Sequence, residues 1–284
     1  MTPFRRRNRL DRSRISRERN RSDVQDLSDD SVDFEVEGLE LDKPRARNKG
    51  IYLLPNAFTT AALFCGFFAI VQAMNHQFET AAIAIFASLV LDGMDGRIAR
   101  MTNTQSAFGE QYDSLADMVS FGVAPALVAY EWVLKDFGKW GWLAAFTYCA
   151  GAALRLARFN INTGVVDKKF FQGLPSPAAG ALIAGFIWLA ADNKIPVRDS
   201  AIPWVMFLIT IYAGLTMVSN ARFYSGKALD IRYRVPFGVM VLMILTFVLI
   251  SSNPPLTLFG IFVIYAISGY VIWGWERFSG RKLT

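Results

Sequence analysis

Apolar runs long enough to cross a bilayer recur between residues 56 and 275, and they restrict the possible folds of this chain more than any other feature. The runs are continuous rather than alternating, as expected for transmembrane helices and not for barrel strands. With 53% hydrophobic and 19% charged residues, the chain is also more apolar than ordinary soluble domains. We therefore predict an all-α integral membrane protein, a polytopic bundle of about eight transmembrane helices at 56–75, 79–101, 110–134, 141–162, 175–191, 201–219, 235–252 and 255–275.

The first 48 residues differ from this apolar body. An arginine-rich stretch is followed by an acidic stretch, and neither has a sustained apolar period. Such a composition buries too little apolar surface to offset chain entropy. We therefore predict a disordered cytoplasmic arm at 1–48, followed by a transmembrane domain at 49–284. Because the arginines lack interleaved aromatic residues, we expect the arm to contact membrane lipids and expect no nucleic acid partner.

Lysine and arginine indicate how the helices are oriented. In the apolar body, the predicted outer loops hold only Lys135, Lys139, Lys194 and Arg198, whereas the connections on the other side hold most of the remaining basic residues. Positive residues accumulate on the cytoplasmic side of multi-pass proteins. We therefore predict a multi-pass protein of the inner (cytoplasmic) membrane, with both termini in the cytoplasm.

Four aspartates interrupt the apolar pattern in the stretch from Leu91 to Asp117. Asp92 and Asp95 are three residues apart, and Asp113 and Asp117 are four apart, so each pair projects from one face of a helix. If the two helices are antiparallel neighbours, the pairs face each other. Each carboxylate costs roughly 2.5–3.5 kcal/mol at bilayer depth, and hard cations such as Mg²⁺ or Mn²⁺ would relieve the repulsion. The alternative is a set of solvated loop acids that cap two helices.

The residues between the aspartates favour a phosphate site at the cytoplasmic surface. Gly93 and Gly96 leave backbone accessible to a ligand, and Arg100 lies one helical turn beyond Gly96. An arginine side chain there can contact a phosphate with several fixed donors. Ser106 and Gly109 open the next helix. Together these residues indicate a metal-assisted pyrophosphate site.

The spacing of these residues also matches a known signature. The pattern Asp92-x-x-Asp95-Gly96-x-x-Ala99-Arg100, eight residues, Gly109-x-x-x-Asp113-x-x-x-Asp117 resembles that of the CDP-alcohol phosphatidyltransferases. The resemblance covers roughly residues 50–180, the expected catalytic core. It implies two divalent cations, Mg²⁺ or Mn²⁺, with Asp92 and Asp113 bridging them, Asp95 completing one site and Asp117 the other. It further implies that Asp117 deprotonates the attacking hydroxyl, and that Gly96, Arg100 and Ser106 contact the diphosphate of CDP-diacylglycerol.

Two further stretches concern the substrates. "LPNAFT" at 54–59 is similar to the family's nucleotide-side segment, which implies that Asn56 and Thr59 contact CDP-diacylglycerol, although a helix cap is an equal alternative. "LRLARFN" at 154–160 and "FQGLPSP" at 171–177 resemble the phosphatidylserine synthase branch. That branch implies L-serine as the acceptor, and phosphatidylserine and CMP as products. Arg155 and Arg158 are candidates for binding the serine carboxylate or a phosphate, the alternative being ordinary positive-inside anchors.

Other functions remain open from sequence alone. The same chemistry could use another acceptor alcohol, such as glycerol 3-phosphate or inositol. An ion-coupled transporter is less favoured, because the acids lie at one membrane face rather than at the midplane. The sole histidine, His76, lies in a predicted outer turn, so no histidine–nucleophile pair is available and direct displacement is expected. Relatives in the resembled family are commonly dimeric, which implies a homodimer.

Overall fold

The computed structural model describes residues 53–102, 106–162, 170–194, 201–224 and 237–279, and these residues are mostly helical. At least one α-helix overlaps each predicted helical segment. The helices are α1 (Leu53–Met74), α2 (Phe78–Thr102), α3 (Ala107–Asp117), α4 (Ala124–Trp132), α5 (Lys139–Asn162), α6 (Ser176–Asp192), α7 (Ile202–Val218), α8 (Phe237–Ser252) and α9 (Pro254–Ser279). The predicted arm lies outside the described residues, so its disorder stays a prediction.

The third predicted helix, 110–134, is the one whose form differs most from expectation. It consists of α3 and α4 joined by a π-helical segment, Met118–Val123, which directly follows Asp117. In the wider turn of a π-segment, backbone hydrogen bonds span five residues instead of the four of an α-helix. There the carbonyl of Phe121 accepts a hydrogen bond from the buried hydroxyl of Tyr148 at 2.8 Å. The segment is thereby fixed against α5, immediately beside one of the four aspartates.

Local sequence explains where several helices begin. The side chain of Ser106 accepts a hydrogen bond from the backbone N–H of Gly109, which caps α3. Proline occurs in the first turn of α6 and α7, where its missing N–H costs nothing. Asn253 separates α8 from α9, and its side-chain oxygen accepts a hydrogen bond from the backbone N–H of Leu256. The "SNPP" sequence therefore ends one helix and starts the next.

Small residues bring three segments close together next to the site. The carbonyl of Ala62 on α1 accepts hydrogen bonds from Ser88 of α2, at 2.8 Å, and from Ser120 of the π-segment, at 3.2 Å. Gly66 permits this approach, because a Cβ there would lie 2.6 Å from the Ser120 hydroxyl. Small side chains and hydroxyl groups join helices in the same way inside membranes. This contact fixes α1, α2 and the end of α3 relative to one another.

A short two-stranded antiparallel sheet, which the sequence did not predict, joins two connections of the mostly helical fold. Its strands are β1 (Phe170–Gln172) and β2 (Arg222–Tyr224), with Phe171 opposite Phe223. Strands of three residues are too short to show an alternating pattern in sequence. The pair links the segment before α6 to the segment after α7.

The apolar surface fits a membrane protein. Among the described residues, α1 and α9 contain stretches long and apolar enough to cross a bilayer, Pro55–Met74 and Pro254–Trp275. The helices α6, α7 and α8 are apolar but shorter. No residue of α8 is buried, and it exposes large apolar side chains such as Phe247. Membrane crossing by all eight predicted segments stays a prediction.

Candidate active site

The four aspartates meet where the end of α2 approaches α3. Asp92 and Asp95 project from α2, and Asp113 and Asp117 project from α3. The carboxyl groups of Asp92 and Asp117 are close enough to share a hydrogen bond, and so are those of Asp95 and Asp113. The structure therefore brings the two predicted pairs face to face. His76 lies in the turn before α2, so about 25 Å of helix separates it from Asp95.

Three of the carboxylates are arranged as a cation site would require. Asp92, Asp95 and Asp113 each offer an oxygen, and these three atoms lie within 4.8 Å of one another. Asp95 is only 5% exposed, and Oδ1 of Asp113 is buried without a hydrogen-bond partner. A buried carboxylate oxygen without a donor fits a cation ligand, and an all-oxygen set suits Mg²⁺ or Mn²⁺. Asp117 lies outside this group of three, so its role as a ligand stays a prediction.

A cavity of about 600 Å³ opens beside the aspartates. It is formed by the start of α1, the end of α2 and the start of α3. Its lining includes all five residues predicted to contact CDP-diacylglycerol, together with two of the aspartates: Asn56, Thr59, Gly96, Arg100, Ser106, Asp95 and Asp113. A Cβ at Gly96 would meet no atom within 4 Å, so the backbone there faces open space. The cavity therefore combines carboxylates, an exposed arginine and accessible backbone.

The contacts of Asn56 and Thr59 bear on the helix-cap alternative. Because α1 begins at Leu53, both residues lie inside the helix rather than at its N-cap. The hydroxyl of Thr59 donates to Oδ2 of Asp95 at 2.8 Å. A Cβ at Gly109 would lie 3.4 Å from Oδ1 of Asn56, so this amide reaches the start of α3. Both side chains thus face the site, although the Thr59 hydroxyl also lies 3.2 Å from the carbonyl oxygen of Pro55, one turn earlier in α1.

Arg155 lies beside the aspartates without lining the cavity. It is only 8% exposed, donates a hydrogen bond to the buried hydroxyl of Ser176, and lies within electrostatic range of Asp117 and Asp92. Its guanidinium also lies over the ring of Phe159, 5.7 Å from the centroid, and that ring lines the cavity. The charge of Arg155 therefore offsets part of the negative charge of the four carboxylates.

Sequence reasoning did not single out Ser176 or Phe159. Both residues stand inside the quoted motifs, at 171–177 and 154–160, but an apolar ring and a small hydroxyl carry no chemical signal of their own. A polar side chain in the first turn of the helix predicted at 175–191 was the available hint for Ser176. Its contact with Arg155 spans 21 residues and depends on how α5 and α6 pack.

Arg158 makes a different set of contacts from Arg155. Its guanidinium donates to the carbonyls of Gln172 at 2.6 Å, Met217 at 3.1 Å and Val218 at 3.1 Å. The last two belong to the final turn of α7, where carbonyls lack helical partners. Gly173 has a φ of +78°, and a Cβ there would lie within 2.3 Å of the Met217 carbonyl oxygen. These contacts favour a structural role for Arg158, whereas its predicted role in binding serine stays a prediction.

The variant Arg158→Gln tests this structural role. We expect the variant to lose about 1–3 kcal/mol of stability, because exposed and part-buried carbonyls of Gln172 and the end of α7 lose charged donors. Thermal unfolding in detergent should show a lower Tm, while the KM for serine stays unchanged below that temperature. Arg97→Gln, a change at an exposed position of α2, is the matched control and should leave Tm unaltered. A tenfold rise in the KM for serine at unchanged Tm would instead make Arg158 a substrate contact.

Comparison with known families identifies the family of the chain. A sequence model described as CDP-alcohol phosphatidyltransferase matches residues 52–212, more than half of the 284 residues. The chain belongs to the CDP-alcohol phosphatidyltransferase family. All of the predicted site residues lie within the matched range.

Curated relatives in this family resemble the chain over much of its length. It is similar to the CDP-diacylglycerol–serine O-phosphatidyltransferase of Helicobacter pylori (strain ATCC 700392 / 26695), with 39% identity over 218 residues, which are 76% of this chain and 90% of that protein. A Methanocaldococcus jannaschii protein of the same name is 33% identical over 189 residues, 66% of this chain and 82% of that protein. One from Bacillus subtilis is 39% identical over 127 residues, 45% and 71% respectively. The likeness extends to both bacteria and an archaeon.

Proposed function

We propose that the protein transfers the phosphatidyl group of CDP-diacylglycerol to the hydroxyl of L-serine, giving phosphatidylserine and CMP. The observation that carries this proposal is the agreement among relatives with that named activity, one of them matched over 90% of its length. The cavity and its carboxylates supply the chemistry that the reaction needs. Serine, rather than another acceptor alcohol, follows from the names of the relatives.

The diphosphate of CDP-diacylglycerol is assigned to the cavity beside α1 and α2. Arg100 is exposed there and can donate several hydrogen bonds to phosphate oxygens. Gly96 lets those oxygens approach the backbone, and Asn56 and Ser106 add polar groups near the start of α3. The acyl chains would lie in the bilayer, entering between the helices from the side.

Serine is assigned to the side of the aspartates that Arg155 occupies. The guanidinium of Arg155 can pair with the serine carboxylate, which would bring the hydroxyl toward Asp117. Arg155 is already held by Ser176 and Phe159, so its position does not depend on the substrate. This places the acceptor and the diphosphate on different sides of the same four carboxylates.

Direct displacement accounts for the reaction with these residues. The serine oxygen forms a bond to the phosphorus of the phosphatidyl group as the bond from that phosphorus to CMP breaks. CMP leaves with the bonding electrons, and the hydroxyl proton passes to the carboxylate of Asp117. Two divalent cations, held by Asp92, Asp95 and Asp113 with Asp117 completing the second site, would neutralise the diphosphate and the leaving CMP.

The setting that we propose is the inner membrane. The exposed apolar helices support membrane insertion, and the distribution of basic residues supports eight spans with both termini and the site facing the cytoplasm. Serine then reaches the site from the cytoplasm, while the lipid substrate arrives within the bilayer. We also propose a homodimer, as implied by the family resemblance.

Purified full-length protein in detergent tests the reaction through CMP release. We expect release to require CDP-diacylglycerol, serine and Mg²⁺ or Mn²⁺, and to fall to background in excess chelator. Glycerol 3-phosphate and inositol serve as competing acceptors in the same assay, and phosphatidylserine is identified by mass. Equal or faster turnover with either competitor would assign the protein to another branch of the family.

A further inference from the structure

We propose that Thr59 is a positioning residue that orients the carboxylate of Asp95 toward the cation. This role differs from the nucleotide contact that the sequence resemblance implied for Thr59, and it rests on the proposed cation site. The two residues belong to different helices and are 36 positions apart in the chain. Their contact therefore exists only once α1 and α2 have packed.

The geometry of the contact supports a fixed orientation. Thr59 is 4% exposed and Asp95 is 5% exposed, so water has little access to either group. The Thr59 hydroxyl lies 2.8 Å from Oδ2 of Asp95 and 3.2 Å from the carbonyl oxygen of Pro55. The hydroxyl has one proton to donate. Oδ2 of Asp95 is the closer oxygen and belongs to a carboxylate, so it is the stronger acceptor of that proton. Because Oδ2 is held by Thr59, the Asp95 carboxylate cannot turn freely relative to Asp92 and Asp113.

The same proton argues against a direct contact between Thr59 and the nucleotide. Phosphate oxygens at neutral pH act chiefly as acceptors, so a hydroxyl must donate its proton to bind them. Thr59 already donates that proton within the protein. Arg100, by contrast, is exposed and lines the cavity with several donors. Thr59 lines the cavity wall, but its hydrogen bond serves the aspartate behind it.

The expected consequence is a change in metal affinity. Groups that hydrogen-bond to a ligand fix its orientation, and removing one typically weakens metal binding about 10–100-fold. Thr59→Val keeps the shape of the side chain and removes its hydroxyl. Thr59→Ser keeps the hydroxyl and should restore affinity to within about threefold of wild type. Thr60→Val is the matched control, because Thr60 contacts the hydroxyl of Tyr112 instead of an aspartate.

Titration with Mn²⁺, followed by the electron paramagnetic resonance signal of the free ion, measures this affinity without turnover. We expect Thr59→Val of the full-length protein to bind Mn²⁺ about 10–100-fold more weakly than wild type, and Thr60→Val to bind it as wild type does. If Thr59→Val does not fold, Thr59→Ala compared with Thr59→Ser makes the same test. Unchanged affinity in the folded variant would overturn the proposal.

Turnover separates the two roles considered for Thr59. A positioning role predicts that saturating Mn²⁺ restores most of the activity of Thr59→Val, with the KM for CDP-diacylglycerol close to that of wild type. A nucleotide contact predicts that this KM stays raised at every Mn²⁺ concentration, which would contradict the proposal. Wild-type protein that binds no Mn²⁺ would instead reject the cation site itself.

Discussion

Replacing Asp117 with asparagine is expected to lower the kcat for phosphatidylserine formation by at least about 10²–10⁴-fold, the usual contribution of a general base. A serine hydroxyl is a poor nucleophile at neutral pH, so its proton must leave as the oxygen attacks. Asp117 is suited to accept this proton, because it ends α3 within reach of Asp92 and in the field of Arg155. The measurement is CMP release at saturating substrates and saturating Mn²⁺.

Two controls make this result specific. Asp136→Asn makes the same chemical change at an exposed turn between α4 and α5, and it should leave kcat unaltered. Mn²⁺ titration of Asp117→Asn shows how much of the loss comes from weaker cation binding. A folded Asp117→Asn variant with a kcat within tenfold of wild type would remove Asp117 from the role of base.

The stereochemistry at phosphorus tests the same step independently. Direct displacement of CMP by serine inverts a chiral, isotopically labelled phosphorus in CDP-diacylglycerol. A covalent phosphatidyl-enzyme would require two displacements and give net retention. Retention, or exchange of labelled CMP into the substrate without serine, would contradict the single-step transfer from which the role of Asp117 follows.

The parts of the fold that could be predicted from the sequence are those with a local cause. Continuous apolar runs predict helices. A segment that is buried or exposed to lipid on every face has no water to bond its N–H and C=O groups, and a helix satisfies these groups within the segment itself. The spacing of Asp92 and Asp95, and of Asp113 and Asp117, likewise fixes which side chains share a helix face. In the structure α2 and α3 both pack against α1, and this shared packing brings the four carboxylates together. The cavity follows from the same arrangement, because its walls are the ends of these helices and the start of α1.

The parts that could not be predicted depend on contacts between distant segments. Arg155 and Arg158 look equivalent in sequence, three residues apart on one helix, yet one contacts Ser176 and the other the carbonyls of α7. The difference arises from where α6 begins and α7 ends relative to α5, which no periodicity encodes. The hydrogen bond from Thr59 to Asp95 could not be predicted either. In the sequence, Thr59 alone indicates a contact with CDP-diacylglycerol and Asp95 alone indicates a cation ligand. Three-residue strands and the π-segment leave no pattern long enough to detect.

Asp113→Asn should have an effect comparable to that of Asp117→Asn, but through cation binding. Oδ1 of Asp113 is buried without a hydrogen-bond donor, and the residue forms a cluster with Asp92 and Asp95. Charge stabilisation by a bound cation contributes several kcal/mol, so its loss should lower turnover by about 10³-fold or more. Mn²⁺ titration should show at least one site lost or greatly weakened. Asp136→Asn is again the matched control.

Thermal stability provides a second test of Asp113→Asn, in which the metal-free variant is expected to gain stability although it loses activity. Without cations the wild-type carboxylates repel one another by about 1–4 kcal/mol for each close pair, depending on the local dielectric. Removing one charge should therefore raise the Tm of the metal-free protein, by about 2–4 °C for each kcal/mol relieved. Saturating Mn²⁺ should raise the Tm of wild type, because it binds only the folded state, and should raise that of the variant much less. If the metal-free variant is less stable than wild type and still gains the full increase with Mn²⁺, Asp113 is a structural hydrogen-bonding residue and not a cation ligand.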